Sequence, residues 1–133
     1  MAVKIAFWLF VLAFDLMLPL LMLGLGKEFQ KNPPTEINPG YGYRTTRSMR
    51  SQAAWDFSQR RVGEVWHKWG RVLLLPSLFP MLFVVGWDVE IVGYLGLFLC
   101  GVQLAVMLGS IFVVERELKR HFDQNGIRKT ETD

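Results

Sequence analysis

Three long apolar stretches constrain this chain more than any other feature of its sequence. They run from about Ile5 to Leu25, from about Val72 to Trp87, and from Ile91 to Val114. An α-helix of about 20 residues crosses a hydrocarbon core of roughly 30 Å, because it rises 1.5 Å per residue. The second stretch is short and is expected to borrow its first turns from the segment before it. We predict an all-α integral membrane protein with three transmembrane helices and one amphipathic interfacial helix.

The first stretch has an alternative interpretation as a secretory signal peptide, because Lys4 precedes it. Signal peptides have shorter apolar regions, and no cleavage motif of small residues follows before Lys27. Asp15 and Pro19 in the middle of the stretch also fit a cleaved signal poorly. We therefore expect a retained helix.

The interfacial helix is predicted over Ser48–Arg71, where apolar and charged residues separate onto two faces. One face carries Trp55, Val62, Val65, Trp66 and Trp69, and most of the basic residues lie on the other. Tryptophan opposite Arg and Lys is typical of a helix that lies in the headgroup plane. Packing on a soluble core is the alternative, and we disfavour it because no other soluble segment supplies such a core.

Basic residues are distributed unevenly along the chain. Of the 15 Lys and Arg residues, nine lie in residues 27–71 and five follow Glu115, whereas only Lys4 precedes the first stretch. The positive-inside rule then places the N-terminus outside and both basic segments in the cytoplasm. Because these residues flank apolar spans, the expected partner is anionic lipid headgroups and not nucleic acid. We predict one membrane domain, residues 1–120, followed by a polar tail, residues 121–133, which we expect to be disordered after Asn125-Gly126.

Two polar residues lie within the predicted spans at matching depth. Asp15 is halfway along the first span and Gln103 is at the midpoint of the third. A carboxylate there costs about 2.5–3.5 kcal/mol on insertion scales, so it requires compensation. We expect a protonated Asp15 that is hydrogen-bonded to Gln103. The sequence leaves open whether this pair is a proton or ligand site or only orients the helices.

Small residues mark one side of the third stretch. Gly101, Ala105 and Gly109 are spaced four apart, which lets another helix approach closely. The partner is either a helix of the same chain, which we favour, or a second copy in a homodimer.

Motifs for catalysis, cofactors or metals are missing from the sequence. His67 and His121 are isolated, and no phosphate-binding glycine loop or nucleophile elbow occurs. The single cysteine, Cys100, lies in an apolar stretch without a nearby base. We expect no enzyme activity, no cofactor and no metal.

The loop before the interfacial helix carries the most individual chemistry. Between Asn38 and Ser48, a glycine-containing turn presents two tyrosines and two arginines. The guanidinium of Arg44 could pair with a phosphate or a carboxylate. The alternative is a loop that only anchors the protein to lipid.

This region resembles the signature of the SdpI family of bacterial membrane proteins. The resemblance rests on Asn38, Gly42, Tyr43, Arg44, Thr45, Ser48, Met49, Trp55, Asp56, Phe57, Gly63, Trp66 and Gly70. It implies a module that places this loop and helix between a first span and a closing pair of spans, in a bacterial cell membrane. The family's namesake is longer, confers immunity against a secreted peptide toxin, and signals toxin presence by recruiting a repressor to the membrane.

The resemblance therefore implies a peptide-toxin immunity protein without catalysis. It also implies that the ligand- or partner-binding residues are Asn38, Tyr43, Arg44, Thr45, Ser48 and Trp55. A small transporter is an alternative, motivated by Asp15 and by a kink expected at Pro76 and Pro80. A further alternative is a membrane-bound regulator that docks a cytoplasmic partner on the basic helix.

Overall fold

The computed structural model of the protein describes residues 1–129. Three helices account for most of them: α1 (Ala2–Lys31), α2 (Gln52–Leu82) and α3 (Val89–His121). No strand occurs within the described residues, so the predicted all-α class is confirmed for this part of the chain. The long loop of residues 32–51 joins α1 to α2 at one end of the bundle, called here the loop end. A short turn joins α2 to α3 at the other end, called here the turn end.

Local sequence explains where the helices begin and end. α1 stops at Lys31, just before Asn32-Pro33-Pro34, because proline has no N–H to donate and restricts the residue before it. The Ser51 side chain caps α2 by accepting a hydrogen bond from the Ala54 N–H at 3.0 Å. Gly86 has a φ of 76°, a left-handed conformation that favours glycine and reverses the chain before α3.

Two of the helices, α1 and α3, are long and apolar enough to cross a membrane. Only 22% of the residues in each apolar segment are buried in the protein. Large side chains such as Phe10, Leu97 and Phe112 instead point outward and are more than half exposed. The buried polar residues Asp15 and Gln103 lie inside the bundle. This arrangement is the opposite of a soluble core and matches helices that face lipid.

The central part of the chain differs from the prediction, because α2 is one continuous helix. It begins at Gln52, passes Arg71 without a break and continues through both prolines to Leu82. Of the predicted apolar face, Trp55, Val62 and Val65 are buried within the protein and Trp66 is partly buried, whereas Trp69 is exposed. The expectation of a separate helix over Ser48–Arg71 was therefore wrong, since this segment is the first part of a longer helix that packs on α1 and α3. The reason is that α1 and α3 extend beyond their apolar stretches and supply the packing surface.

Glycine contacts bring α1 and α2 close together. A Cβ atom on Gly70 would lie 2.6 Å from the Leu23 nitrogen, and one on Gly63 would lie 3.0 Å from the Gly26 oxygen. By contrast, no atom lies within 4 Å of a Cβ built on Gly101 or Gly109. The expectation that the small residues of α3 pack within the monomer was therefore wrong, since the close helix contact uses glycines of α1 and α2.

The tail folds back onto the loop end. Phe122 is buried and forms an isolated antiparallel bridge with Arg128. The Ser51 hydroxyl donates to the Gly126 carbonyl at 2.5 Å, which ties the tail to the start of α2. The bridge to Arg128 thus extends into the segment after Gly126 for which we expected disorder, and residues 130–133 lie outside the described residues.

The interior of the bundle has three layers. An apolar cluster at the loop end contains Phe29, Tyr43, Ala54, Val62, Val65, Val114, Leu118 and Phe122. A second apolar cluster at the turn end contains Trp8, Met81, Val84, Val92 and Leu99. The polar residues Asp15, Ser77 and Gln103 lie between them. The other buried polar side chains therefore lie towards the loop end.

Candidate functional site

The loop end is organised around the backbone of Tyr43. Its N–H donates to Gln59 Oε1 at 2.7 Å, and Gln59 Nε2 donates back to its carbonyl at 2.7 Å. A single side chain of α2 thus satisfies both polar groups of one loop residue, as a neighbouring strand would. Gly42 has a φ of 115°, and a Cβ there would lie 2.8 Å from Gln59 Oε1. Glycine is therefore required before Tyr43.

The side chain of Tyr43 connects the loop to α3. Its hydroxyl donates to Glu115 Oε1 at 2.6 Å, and the ring belongs to the apolar cluster at the loop end. Burial and the adjacent Glu115 carboxylate raise the pKa of Tyr43 well above its ordinary value, so the hydroxyl remains a donor at neutral pH. Arg47 also contacts Glu115, with Nε and Oε2 3.8 Å apart. Glu115 thus receives two contacts from the loop.

Thr45 and Ser48 hold the next turn through reciprocal hydrogen bonds. The Thr45 N–H donates to Ser48 Oγ at 2.8 Å, and the Ser48 N–H donates to Thr45 Oγ1 at 3.2 Å. The Ser48 hydroxyl is buried and lies 3.1 Å from the Tyr43 carbonyl, to which it donates. Such side-chain bonds to the backbone are typical of turns and helix caps.

Asn38 and Trp55 also have structural contacts. Asn38 Oδ1 accepts from the N–H groups of Gly40 at 2.9 Å and Tyr41 at 2.6 Å, which forms a turn ahead of the motif. Trp55 is fully buried and donates from Nε1 to the Pro34 carbonyl at 2.8 Å. Both side chains therefore shape the loop.

Arg44 is the motif residue whose side chain points outward. It is exposed, and Nη1 donates to the carbonyl of Pro39 within the same loop. A guanidinium offers five N–H groups, so further donors are available beyond the one bonded to Pro39. Of the six predicted binding residues, Arg44 is therefore the best placed to contact a partner.

A second set of charges joins α2 to α3 at the same end. Arg61 Nε lies 2.6 Å from Glu117 Oε2, and Arg61 Nη1 lies 3.0 Å from Glu64 Oε2. The hydrogen bond to Glu117 is the main cause that raises the pKa of Arg61, so this cation is permanent. Together with the hydrogen bond from the Tyr43 hydroxyl, these contacts hold the C-terminal end of α3 against the loop and α2.

The predicted contact between Asp15 and Gln103 is present, and it includes a third residue. Gln103 Nε2 lies 2.9 Å from Asp15 Oδ1, 2.7 Å from the Asp15 carbonyl and 2.8 Å from Ser77 Oγ. The cluster thereby joins all three helices at one level. Asp15 Oδ2 and Gln103 Oε1 are buried without a hydrogen-bond partner among the described residues. Glu115 lies about 18 Å farther along α3, so the loop site and this cluster are separate.

Sequence analysis missed Gln59, Ser77 and Glu115 as site residues. Gln59 follows Trp55 by one helical turn, and an amide on an otherwise apolar face is a signal that could have identified it. Glu115 lies 72 residues from Tyr43 in the chain, and nothing local indicates the pairing. Among residues 1–129, no group of three His, Cys, Asp or Glu side chains is placed to hold a metal ion.

A protein-family model matches more than half of the chain. It is described as the SdpI/YfhL protein family and matches residues 35–114, which include most of the loop, all of α2 and most of α3. No curated protein and no solved structure matches the chain. The matched segment contains Tyr43 with its partners Ser48 and Gln59, and Glu115, which accepts from the Tyr43 hydroxyl, lies one residue beyond its end.

Proposed function

Because the chain belongs to the SdpI/YfhL protein family, we propose that it is a non-catalytic membrane protein that protects the bilayer against an antimicrobial peptide. The observation that carries this proposal is the arrangement of the motif residues. Tyr43, Ser48 and Trp55 are buried in a rigid scaffold, and the scaffold holds Arg44 outward. This geometry presents a binding group without the nucleophile and base of an acyl- or phosphoryl-transfer site.

Three transmembrane helices are part of this proposal. The hydrogen bonds of Gln103 place Ser77 at the same depth as Asp15, so α2 passes through the layer that α1 and α3 cross. The outward side chains of α2 near Ser77, including Leu75 and Phe79, are apolar and more than half exposed. These features support a third span in the second half of α2, with the amphipathic first half extending past the bilayer.

The proposed orientation places the loop end in the cytoplasm of a bacterial cell and the N-terminus outside. Hydrogen bonds from Ser51 to Gly126 and from Tyr43 to Glu115 bring the loop and the tail to the same end. The longer basic segments to which they belong, residues 27–71 and the residues after Glu115, carry 14 of the 15 basic residues. Their shared position supports the orientation expected from the positive-inside rule and contact with anionic headgroups.

A transporter that uses Asp15 is less well supported. The Asp15 side chain is fully buried, and apolar clusters lie on both sides of its layer. A cytoplasmic partner that binds at Arg44 is the alternative with a specific observation in its favour, because this exposed arginine lies at the proposed cytoplasmic end.

Survival assays test the immunity proposal. A sensitive bacterial strain expressing the chain is challenged with purified membrane-active peptides of bacterial origin, at matched levels of protein in the membrane. We expect the wild type to protect and Arg44→Ala to abolish protection. Arg44→Lys should reduce it about tenfold or more if a bidentate contact worth ~1.5–3 kcal/mol is lost.

Arg50→Lys is the matched control, because Arg50 is an exposed arginine of the same loop. It should protect as the wild type does. Full protection by Arg44→Ala would contradict a role for this residue in immunity, and no protection by the wild type against any peptide would contradict immunity itself. Binding of a soluble protein that requires Arg44, without protection, would favour the regulator.

A further inference from the structure

A groove between α1 and α3 at the turn end has no role in the function proposed above. Its volume is about 420 Å³. Three phenylalanines of α1 form one wall and a glycine-containing face of α3 forms the other; the lining includes Phe7, Phe10, Phe14, Gly93, Leu97 and Cys100. Phe10 and Leu97 are more than half exposed, so the groove opens towards lipid.

The groove has the length of one leaflet. Along α3 it extends from Glu90 to Cys100, which is about 15 Å of helix. Phe14 and Cys100 mark its inner end, next to the level of Asp15 and Gln103. The hydrocarbon core is roughly 30 Å thick, so the groove runs from the headgroups to about the bilayer centre.

The lining of the groove is almost entirely apolar and follows the two helices for about 15 Å. An extended alkyl chain is only about 4–5 Å wide, because carbon atoms pack at about 4 Å. The shape thus fits one hydrocarbon chain.

Two polar side chains lie at the mouth of the groove. Glu90 is about 20 Å along α3 from the Gln103 level, which is the depth of the headgroups. It forms no ion pair within residues 1–129, since the adjacent Lys4 pairs with Asp88 at 2.9 Å. Tyr94 lies one turn deeper, where tyrosine commonly meets the membrane interface. A carboxylate at this depth is complementary to a cationic headgroup.

We propose that this groove binds one acyl chain of a phosphatidylethanolamine lipid, in the leaflet at the turn end. The chain lies along Phe7, Phe10 and Phe14, and the lipid ammonium donates to the Glu90 carboxylate. The Tyr94 hydroxyl is placed to donate to an ester or phosphate oxygen of the same lipid.

Native mass spectrometry of the full chain in mild detergent tests this proposal. The protein is titrated with phosphatidylethanolamine or phosphatidylglycerol of identical acyl chains. We expect one tightly retained phosphatidylethanolamine, and Gly93→Leu should weaken its binding about tenfold or more by filling the groove. Glu90→Gln should reduce the preference for phosphatidylethanolamine while leaving acyl-chain binding.

Matched controls are available on the open lipid-facing side of α3. Gly101→Leu adds the same side chain where nothing lies within 4 Å, and it should bind as the wild type does. If Gly93→Leu does not fold, Leu97→Trp fills the groove instead, with Phe98→Trp as its equally exposed control. Equal binding by groove and control variants, or equal binding of the two lipids by the wild type, would overturn the proposal. So would displacement of the lipid by a peptide that binds in the same groove.

Discussion

Single side chains decide whether the loop of residues 32–51 has one conformation. Gln59 satisfies both backbone groups of Tyr43, and Glu115 accepts from its hydroxyl. Gly42 permits the turn that these bonds require. The loop carries few large apolar side chains, so it depends on these polar contacts more than the helices do.

Tyr43→Phe should destabilise the protein by ~1–3 kcal/mol, because it removes a hydrogen bond to a charged and partly buried acceptor. Thermal or denaturant unfolding in detergent measures the loss. Tyr41→Phe is the control, since Tyr41 is 48% exposed, and a change there should stay within about 0.5 kcal/mol. An equal effect of the two substitutions would show that the Glu115 contact contributes little.

Stability should also fall in alkaline solution because of Tyr43. Its raised pKa means that the folded state keeps the proton after the unfolded state, with a pKa near 10, has lost it. The stabilisation is therefore fully present below about pH 10 and decreases as the pH rises further. Unfolding measured between neutral and alkaline pH should show a steeper decline for the wild type than for Tyr43→Phe. Parallel curves would contradict this linkage.

The helices are held together by contacts of two kinds. At the crossing of α1 and α2, Gly26, Gly63 and Gly70 let the two backbones approach closely. In the middle layer, Gln103 donates to α1 and α2 through Asp15 and Ser77. Close backbone approach and hydrogen bonds between helices are the main stabilising interactions available in lipid, where burying apolar surface gains little.

Gly70→Ala should destabilise the helix pair by ~1–3 kcal/mol, because the added methyl group overlaps the backbone of α1 near Leu23. Gly101→Ala is the control on α3, where the methyl group meets open space. There the higher helix propensity of alanine should leave stability unchanged or raise it by up to about 1 kcal/mol. Unfolding in detergent compares the stability of the two variants. A greater loss of stability for Gly101→Ala than for Gly70→Ala would show that the close helix contact lies on α3.

Asp15→Asn should be tolerated. An asparagine can accept from Gln103 Nε2 with its oxygen, as Asp15 Oδ1 does, and its NH2 takes the place of the unpartnered Oδ2. Asp15→Leu leaves the Gln103 amide buried without this partner and should cost ~1–3 kcal/mol. Unfolding of both variants tests the comparison, and infrared spectroscopy of the wild type reports whether Asp15 is protonated. A destabilised Asp15→Asn with a stable Asp15→Leu would show that the hydrogen bond is dispensable.

Over the whole molecule, polar and charged groups are sorted by depth. Lys4, Asp88 and Glu90 lie at the turn end, the Gln103 cluster lies in the middle, and the basic segments gather at the loop end. About 20 Å of α3 separates Gln103 from Glu90, which matches half the thickness of a bilayer with its headgroups.

The topology is tested by single cysteines in a Cys100→Ser background. Met49→Cys, Val89→Cys and Gln124→Cys are exposed positions before α2, after the turn and in the tail. With a membrane-impermeant thiol reagent on intact cells, we expect labelling of Val89→Cys alone, because α2 carries the chain across the membrane. Labelling of Met49→Cys and Gln124→Cys instead would show that the orientation is the reverse of the proposed one. Equal labelling of Met49→Cys and Val89→Cys would show that α2 does not cross the membrane.

Hydropathy and charge in the sequence determined the all-α class, the two long apolar helices and the depth shared by Asp15 and Gln103, because these follow from composition and helical rise. The motif from Asn38 to Trp55 likewise predicted the family that the comparison confirms. The tertiary structure alone decided that α2 is continuous and that Trp55 and Trp66 pack against protein. An amphipathic face reveals only that something apolar covers it, and whether lipid or a helix does so depends on how far distant segments extend. The partners of Tyr43 and Gln103 were decided in the same way, since Glu115 and Ser77 reach them only when the three helices pack.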